Sequence, residues 1–500
     1  MVNAKYISLS LRAVFLAILT SVSFGSFKAF AKSSKVSAKA EISDDYKALN
    51  LKLSEIMKKG GVPQGEVGAW VGVQGANGAA TIFSHNESQS MVPASLSKLL
   101  TLGAALHILG PSFKFQTQLL SKAGVQDQIL KGDLFLKGGG DPSFVNEDMW
   151  SLVNDFTRNQ IVQIEGDIIV DDNRFDKIRF GEDRESTRVD RAYDAPVGAM
   201  SMNWNSVNVY VRPGKKIGEP CLVFADPANN YIRVENQTTT VGDTKPKTIA
   251  VERLSKSDFK GDIIRVTGKM PMGHDESVIY KSITQPELWS AYNLLEFLRQ
   301  RGIKVSGQVK AGTTPKDAKL LASRDSKALG LIVADMAKFS NNYVAEMLAK
   351  NLAAESGEAP ATMKTGLVQI NKFMSEIGLT GSDIRFVNAS GFTRENKISP
   401  LELGHYLQLI QSDFSIFPEY VSALPIAGRD GTLKKRMKDL DRIGWVRAKT
   451  GLLNGTVGLS GFVGMSRGQS AVFAFIYNGG GGVEDKARNL FDRLAEELSK

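Results

Sequence analysis

Hydrophobic positions along the chain fall into three regimes. Residues 44–59 carry apolar side chains at Leu49, Leu53, Ile56 and Met57 and are followed by Gly60-Gly61, the spacing of one helix face and the stop after it. Two apolar runs, 67–73 and 79–83, flank the stretch 75–78 with its two glycines and predict a β-hairpin. After Pro93 comes a run with Leu99, Leu100, Leu102, Ala104, Ala105 and Leu106, which predicts a buried helix with Ser95 at its first turn. From about 114 to about 283 helical periodicity is scarce, and strand-like runs take over at 129–137, 164–170, 207–211, 231–234 and 263–266. This middle section is expected to be a mostly-β insertion, 114–212 with 275–283, holding a small nested β domain at 213–274.

Helical spacing returns at 287–302, 328–354, 362–377 and 400–411, with a strand near 383–387. The end of the chain reads as strands at 445–449, 455–463 and 471–477, a turn at 466–468, and a closing helix at 483–498 with Ala487, Leu490, Phe491, Leu494 and Leu498 on one face. Terminal helices lying on an antiparallel sheet, with a helical half between the insert and the last strands, make the expected fold class α+β. The main domain is expected to comprise 45–113 and 284–500.

Composition narrows the picture in a few places. Five hundred residues with 42% hydrophobic content can build more than one core. The first 31 residues read as a secretory signal: basic Lys5 and Arg12, an apolar run at 13–24, then Ala29-Phe30-Ala31 as a cleavage site. An uncleaved anchor is the alternative, because Lys28 sits inside the cleavage region. A linker at 32–44 follows, and the expected location is exported and periplasmic, with at most peripheral membrane contact. The single cysteine, Cys221, rules out an intramolecular disulfide. Four scattered histidines, His85, His107, His274 and His405, form no metal-binding pattern, so neither a metal nor another cofactor is expected. The net charge of +9 is dispersed and no nucleic-acid motif accompanies it.

The candidate chemistry begins at Pro93-Ala94-Ser95-Leu96-Ser97-Lys98. Residues three apart share a helix face, so the Lys98 amine can reach the Ser95 hydroxyl and act as the base that makes it a nucleophile. Chance alone supplies roughly two or three S-x-x-K matches in a chain of this size, and Ser257-Asp258-Phe259-Lys260 is one of them. Context selects between them. A hydrolase of this kind needs a second polar group to relay the proton, donors for the oxyanion, and a grip on the substrate. Ser340 and Asn342, two apart, can supply the first. Lys449-Thr450-Gly451 ends a predicted strand, where Lys449 offers a cation to a carboxylate and Gly451 lets substrate approach the backbone. Ser84-His85-Asn86 and Ser201-Met202-Asn203 also fit S-x-N, and Lys364-Thr365-Gly366 repeats K-T-G. The order of motifs excludes Ser84, and Lys364 lies within helical periodicity (Leu367, Ile370, Phe373).

With S-x-x-K, S-x-N and K-T-G in this order, the chain resembles the penicillin-recognising serine enzymes, and within them the type-4 penicillin-binding proteins, D-alanyl-D-alanine carboxypeptidases and endopeptidases of low-molecular-mass class C. Further stretches fit the same family: Leu136 to Pro142, Val170-Asp171-Asp172, Ala195-Pro196, Ser390-Gly391-Phe392-Thr393-Arg394 and Leu424 to Leu433. The resemblance implies a β-lactamase/transpeptidase-like domain carrying its insertion between the first two motifs. It implies peptidoglycan stem peptides as substrate and β-lactam antibiotics as covalent inhibitors. It also implies roles: Ser95 as nucleophile, Lys98 as base, Ser340 as proton relay, Asn342 orienting Lys98 and the substrate amide, and Lys449 with Thr450 holding the terminal carboxylate. Backbone N–H groups of Ser95 and Leu452 would face the oxyanion beside Gly451, and Asp171 and Arg394 would take the amino and carboxylate ends of a diaminopimelate side chain. Asp141 is expected to cap the glycine turn, and Asn454 stands where relatives carry glutamine. A β-lactamase and a catalytically silent cell-wall binding protein of the same fold are the alternatives.

Overall fold

The two ends of the chain meet in one antiparallel sheet, ordered Val446–Leu453, Thr456–Gly464, Ser470–Asn478, Val67–Gly75 and Gly78–His85. This computed structural model describes residues 44–75, 78–181, 192, 195–254, 259–381, 384–438 and 443–500. The expected leader at 1–31, most of the linker, and Ser257 lie outside the described residues. Helices Asp44–Lys58 and Glu484–Leu498 cover one face of the sheet, burying Leu53, Met57, Leu490, Phe491 and Leu494 with Val71, Leu459, Phe473 and Phe475. Each helix turns only its apolar stripe inward, so sheet and helices cover each other. The central strands are buried almost end to end, as expected of strands covered on both faces. Helix Pro400–Ser412 adds to this packing: it is capped by Ser399 and Glu402, and His405 meets the Trp70 ring edge-on at 5.4 Å between centroids.

These elements belong to the first of two compact units, which takes the described residues up to 104 with 370–387 and 394–500. The second takes 105–369 and 388–393. Its largest sheet runs Val309–Ala311, Ile168–Asp171, Leu134–Lys137, Gln116–Ser121 and Lys319–Asp325, with parallel and antiparallel pairs mixed. Two three-stranded sheets, one built on Ser206–Arg212 and one on Asp262–Pro271, share its core with helix Pro286–Gln300, whose Trp289, Leu294 and Leu298 are buried. Helix Asn146–Thr157 adds Met149, Leu152, Val153 and Phe156, and corrects the reading of this region as almost helix-free. The segment 328–354 is two helices, Leu329–Lys338 and Asn342–Glu355, parted at Ser340 by a left-handed φ of +54°. At 383–387 the described backbone forms an isolated bridge, Arg385 with Lys397, in place of the expected strand. Helix Phe417–Ala423 was not anticipated either.

The glycine turn shows why three consecutive glycines stand at Gly138-Gly139-Gly140. A Cβ on Gly139 would lie 2.0 Å from the Gln116 carbonyl oxygen, and Gly140 combines φ +80° with an approach of 2.2 Å to Asn351 Oδ1. Asp141 then closes the turn, accepting from Ser143 N at 2.8 Å and from Ser143 Oγ at 2.7 Å. Burial pushes its carboxyl up to about 6, against those two hydrogen bonds.

Candidate active site

Ser95 lies in a single 3₁₀ turn, Ala94–Leu96, that feeds directly into helix Ser97–Leu109. The Leu-rich face after it is buried, and this anchors the helix. Its Leu99 carbonyl accepts the hydroxyls of both Tyr406 (2.8 Å) and Tyr420 (3.1 Å). Ala94, just before the serine, takes a left-handed φ of +49°, a conformation unfavourable for a residue with a Cβ. The result is a half-buried serine above a buried lysine: Lys98 is 1% exposed and its Nζ lies 3.0 Å from Ser95 Oγ. With a protonated amine, Nζ is the donor. With a neutral amine the same contact runs in reverse, the hydroxyl donating, and that is the arrangement a serine nucleophile requires.

Strand Val446–Leu453 packs on this turn. A Cβ on Gly451 would meet the Pro93 carbonyl oxygen at 2.7 Å, Leu96 Cγ at 3.3 Å and Ala94 Cβ at 3.4 Å, so glycine is what brings the strand up to the turn. On the next strand, Gly458 does the same beneath Leu96, at 2.7 Å. Lys449 is fully buried and donates to the Thr450 carbonyl at 2.8 Å. Burial alone pulls its ammonium down to about 7. Thr450 donates its hydroxyl to Thr432 at 2.9 Å, and Leu452 is exposed.

Ser340 and Asn342 lie in the second unit, at the joint between two helices. Asn341 caps the second helix by accepting Val344 N at 3.2 Å, and Asn342 opens it, 7% exposed. Asp171 ends its strand with one carboxylate oxygen accepting Asn173 N (3.1 Å) and the other Thr314 N (2.8 Å), and only 6% of it is exposed. Arg394, in the first unit, is exposed and donates to the carbonyl of Asn454 in the turn after the Lys449 strand. Lys364, the rejected K-T-G match, lies within helix Met363–Glu376. Among the described residues no group of three or more histidine, cysteine or acidic side chains is placed to hold a metal ion.

The family profile described as the D-Ala-D-Ala carboxypeptidase 3 (S13) family matches residues 49–498. The chain belongs to this family. It is 29% identical to a D-alanyl-D-alanine carboxypeptidase of Actinomadura sp. (strain R39) over 87% of this chain and 82% of that one. With D-alanyl-D-alanine carboxypeptidase DacB of Haemophilus influenzae the identity is 26%, covering 89% and 94%. The crystal structure of penicillin binding protein 4 from Haemophilus influenzae superposes with a TM-score of 0.73 at 24% identity, over 89% of this chain and 99% of that chain, which establishes the common α+β fold. The protein is therefore a D-Ala-D-Ala carboxypeptidase of the S13 family, a serine peptidase.

Within this S13 carboxypeptidase the sequence reading missed side chains that hold the serine turn, Asn396 on Ser97 and Asn478 on Val92, and one on the strand beside it, Thr432 on Thr450. Thr432 and Asn396 lie in or beside stretches already singled out as family signatures. Nothing local in the sequence marks Asn478, which bonds across 386 positions.

Proposed function

We propose that this S13 enzyme hydrolyses the D-Ala-D-Ala bond of peptidoglycan stem peptides, and the cross-links of the same chemistry, through an acyl-enzyme on Ser95. The single observation that carries the reading is the buried Lys98 amine at 3.0 Å from Ser95 Oγ. Ser95 Oγ attacks the carbonyl carbon of the penultimate D-alanine, and Lys98 receives its proton. Ser340 passes a proton to the leaving amine as the C–N bond breaks, with Asn342 orienting Lys98 and the substrate amide. Backbone N–H groups of Ser95 and Leu452 carry the oxyanion, where loss of one donor costs about 3 kcal/mol. Lys449 and Thr450 hold the terminal carboxylate beside Gly451. Arg394 takes the carboxylate of the stem peptide's diaminopimelate side chain, and Asp171 its amino group. Water then cleaves the ester and returns Ser95. Penicillins enter by the same attack and stay as a slow ester. The leader at 1–31 supports export to the periplasm, where this substrate lies.

Fluorescent penicillin tests the reading. The expected result is a lasting stoichiometric label that maps to Ser95 and disappears in Ser95→Ala. Rapid release of the label would make the protein a β-lactamase, and no label would make it a binding protein. Digestion of purified muropeptide monomers and dimers, read by chromatography, then measures carboxypeptidase against endopeptidase cleavage.

A further inference from the structure

The turn that presents Ser95 is held from outside as well as by its own backbone hydrogen bonds. It is one turn of 3₁₀ helix with a left-handed alanine at its start, and short 3₁₀ segments have poor hydrogen-bond geometry of their own. Further support comes from distant parts of the first unit. On the incoming side, Asn478 accepts Val92 N at 2.6 Å on Oδ1 and donates from Nδ2 to Val92 O at 3.1 Å. Met91, one residue earlier, pairs antiparallel with Ile398, N to O at 3.1 and 3.0 Å. On the outgoing side, Asn396, 1% exposed, donates from Nδ2 to Ser97 Oγ at 2.9 Å while its Oδ1 accepts Val387 N at 2.8 Å.

Ser97 is where the 3₁₀ turn passes into the helix: its own N–H points to the carbonyls of Ala94 and Ser95, and the next residue is Lys98. A tether on the Ser97 hydroxyl therefore fixes the backbone between the two partners of the Ser95–Lys98 pair. An asparagine suits the task because one planar amide offers an acceptor to a backbone N–H and a donor to a hydroxyl at the same time.

We propose that Asn396 is a positioning residue for acylation, acting through Ser97, with Asn478 as its counterpart on the incoming side of the turn. The inference rests on the reading of Ser95 as nucleophile. Reactions between oriented groups are steeply sensitive to placement: a shift of about 1 Å can cost about a hundredfold in rate. A tether one residue from Lys98 and two from Ser95 thus acts on rate as well as on folding.

The test is the acylation rate constant with fluorescent penicillin, measured per folded enzyme well below the unfolding midpoint. The variants are Ser97→Ala, Asn396→Ala, the two combined, and Asn396→Asp, with Ser95→Ala alongside. Each single alanine variant is expected to slow acylation about tenfold, and the double variant no more than the slower single, because the Asn396–Ser97 bond is lost in either. Asn396→Asp is expected to approach the parent rate at low pH, where a protonated carboxyl can donate to Ser97 Oγ, and to fall behind it as pH rises. Ser97→Ala, a small change at a helix start, keeps the test open should Asn396→Ala not fold. A purely structural bond would lower the unfolding midpoint and leave the rate and its pH dependence at parent values. That result, or single effects that multiply in the double variant, overturns the proposal. A covalent label on Ser95→Ala would instead overturn the nucleophile assignment, whatever the Asn396 variants do.

Discussion

Lys449 and Lys350 are both buried lysines, one in each unit, and they are buried on different terms. Lys350, on helix Asn342–Glu355, donates to Asp176 at 2.5 Å and to the Ile178 carbonyl at 2.7 Å, and sits 5.8 Å from the Phe175 ring. Close by in the same unit, Arg179 joins the buried Asp172 (2.5 Å) to Glu287 (2.6 Å), while Asp172 also accepts Met200 N. Burial lowers the Lys350 ammonium and raises the Asp172 carboxyl, and their ionic partners oppose both shifts. Every charge in this group is matched within the unit, which is how a loop is pinned. Lys449 differs in its setting: it lies on a sheet strand that packs on the Ser95 turn and donates to the Thr450 carbonyl, and burial moves its ammonium down to about 7. Position separates the two: Lys350 pins a loop of the second unit, whereas Lys449 lies on the strand beside the serine turn.

The sharpest way to break this comparison is to replace one buried lysine beside the serine turn, Lys98, and one in the loop cluster, Lys350. Lys98→Met is expected to cut penicillin acylation by about a thousandfold, the scale of losing a positioned general base. The denaturation midpoint should stay near the parent's, since methionine keeps the volume of the buried stem. Lys350→Met should do the reverse. Stripping the partner from Asp176 is expected to cost about 3 kcal/mol in urea unfolding, with acylation per folded molecule within about twofold of the parent. Loss of rate without loss of stability in Lys350→Met would dissolve the distinction.

Glycines sharpen the same contrast. Gly451→Ala forces a methyl to 2.7 Å from the Pro93 carbonyl, so either the Lys449 strand or the serine turn has to retreat. About 2 kcal/mol of destabilisation is expected, together with about a tenfold drop in acylation. Gly139→Ala, in the glycine turn of the second unit, meets the Gln116 carbonyl at 2.0 Å. It is expected to cost at least as much stability and to spare the acylation rate of whatever folds, as separate unfolding and stopped-flow measurements can show.

The pH dependence follows from Lys449. In the free enzyme its charged fraction falls about tenfold per pH unit above about 7, so acylation by a carboxylate-bearing penicillin should show an alkaline limb near that pH. Lys449→Met should lack the limb and run at a lower level throughout. Stability responds with the opposite sign. The pKa is lower in the folded chain than the ordinary 10.5, so the unfolded chain binds more protons between about 7 and 10.5. The contribution of this residue to stability therefore rises with pH across that window, and titrating unfolding free energy in parent and variant reads the difference.

What the sequence revealed and what it concealed divide along similar lines. Order and local context were enough to choose Lys449 over Lys364, and they find the one on a strand and the other inside a helix. Helix Asn146–Thr157 was legible in principle, since Met149, Leu152, Val153 and Phe156 keep helical spacing, but the strand-rich runs around it masked the pattern. The break at Ser340 shows as polar residues in an apolar run, while its left-handed backbone does not, because tertiary packing imposes it. Asn396 and Asn478 lie at the far limit. Each is a single polar residue whose partner is hundreds of positions away, and a buried amide has no periodicity to betray it.

The smallest predicted effect is at Arg394, and it separates substrate recognition from chemistry. Its guanidinium donates to the Asn454 carbonyl, in the turn closing the Lys449 strand, and remains exposed, so one edge of the fork is anchored and the rest faces solvent. An anchored guanidinium still has donors for a carboxylate, and partial exposure limits that contact to about 1 kcal/mol. Arg394→Ala should therefore raise KM about fivefold for a stem peptide whose third residue carries a side-chain carboxylate. The change should be no more than about twofold for the same peptide with lysine there, and acylation by penicillin, which lacks the side chain, should be unaffected. Equal losses on all three ligands would place Arg394 with Asn396 as a support of the turn, and move it from the specificity side of the comparison to the structural side.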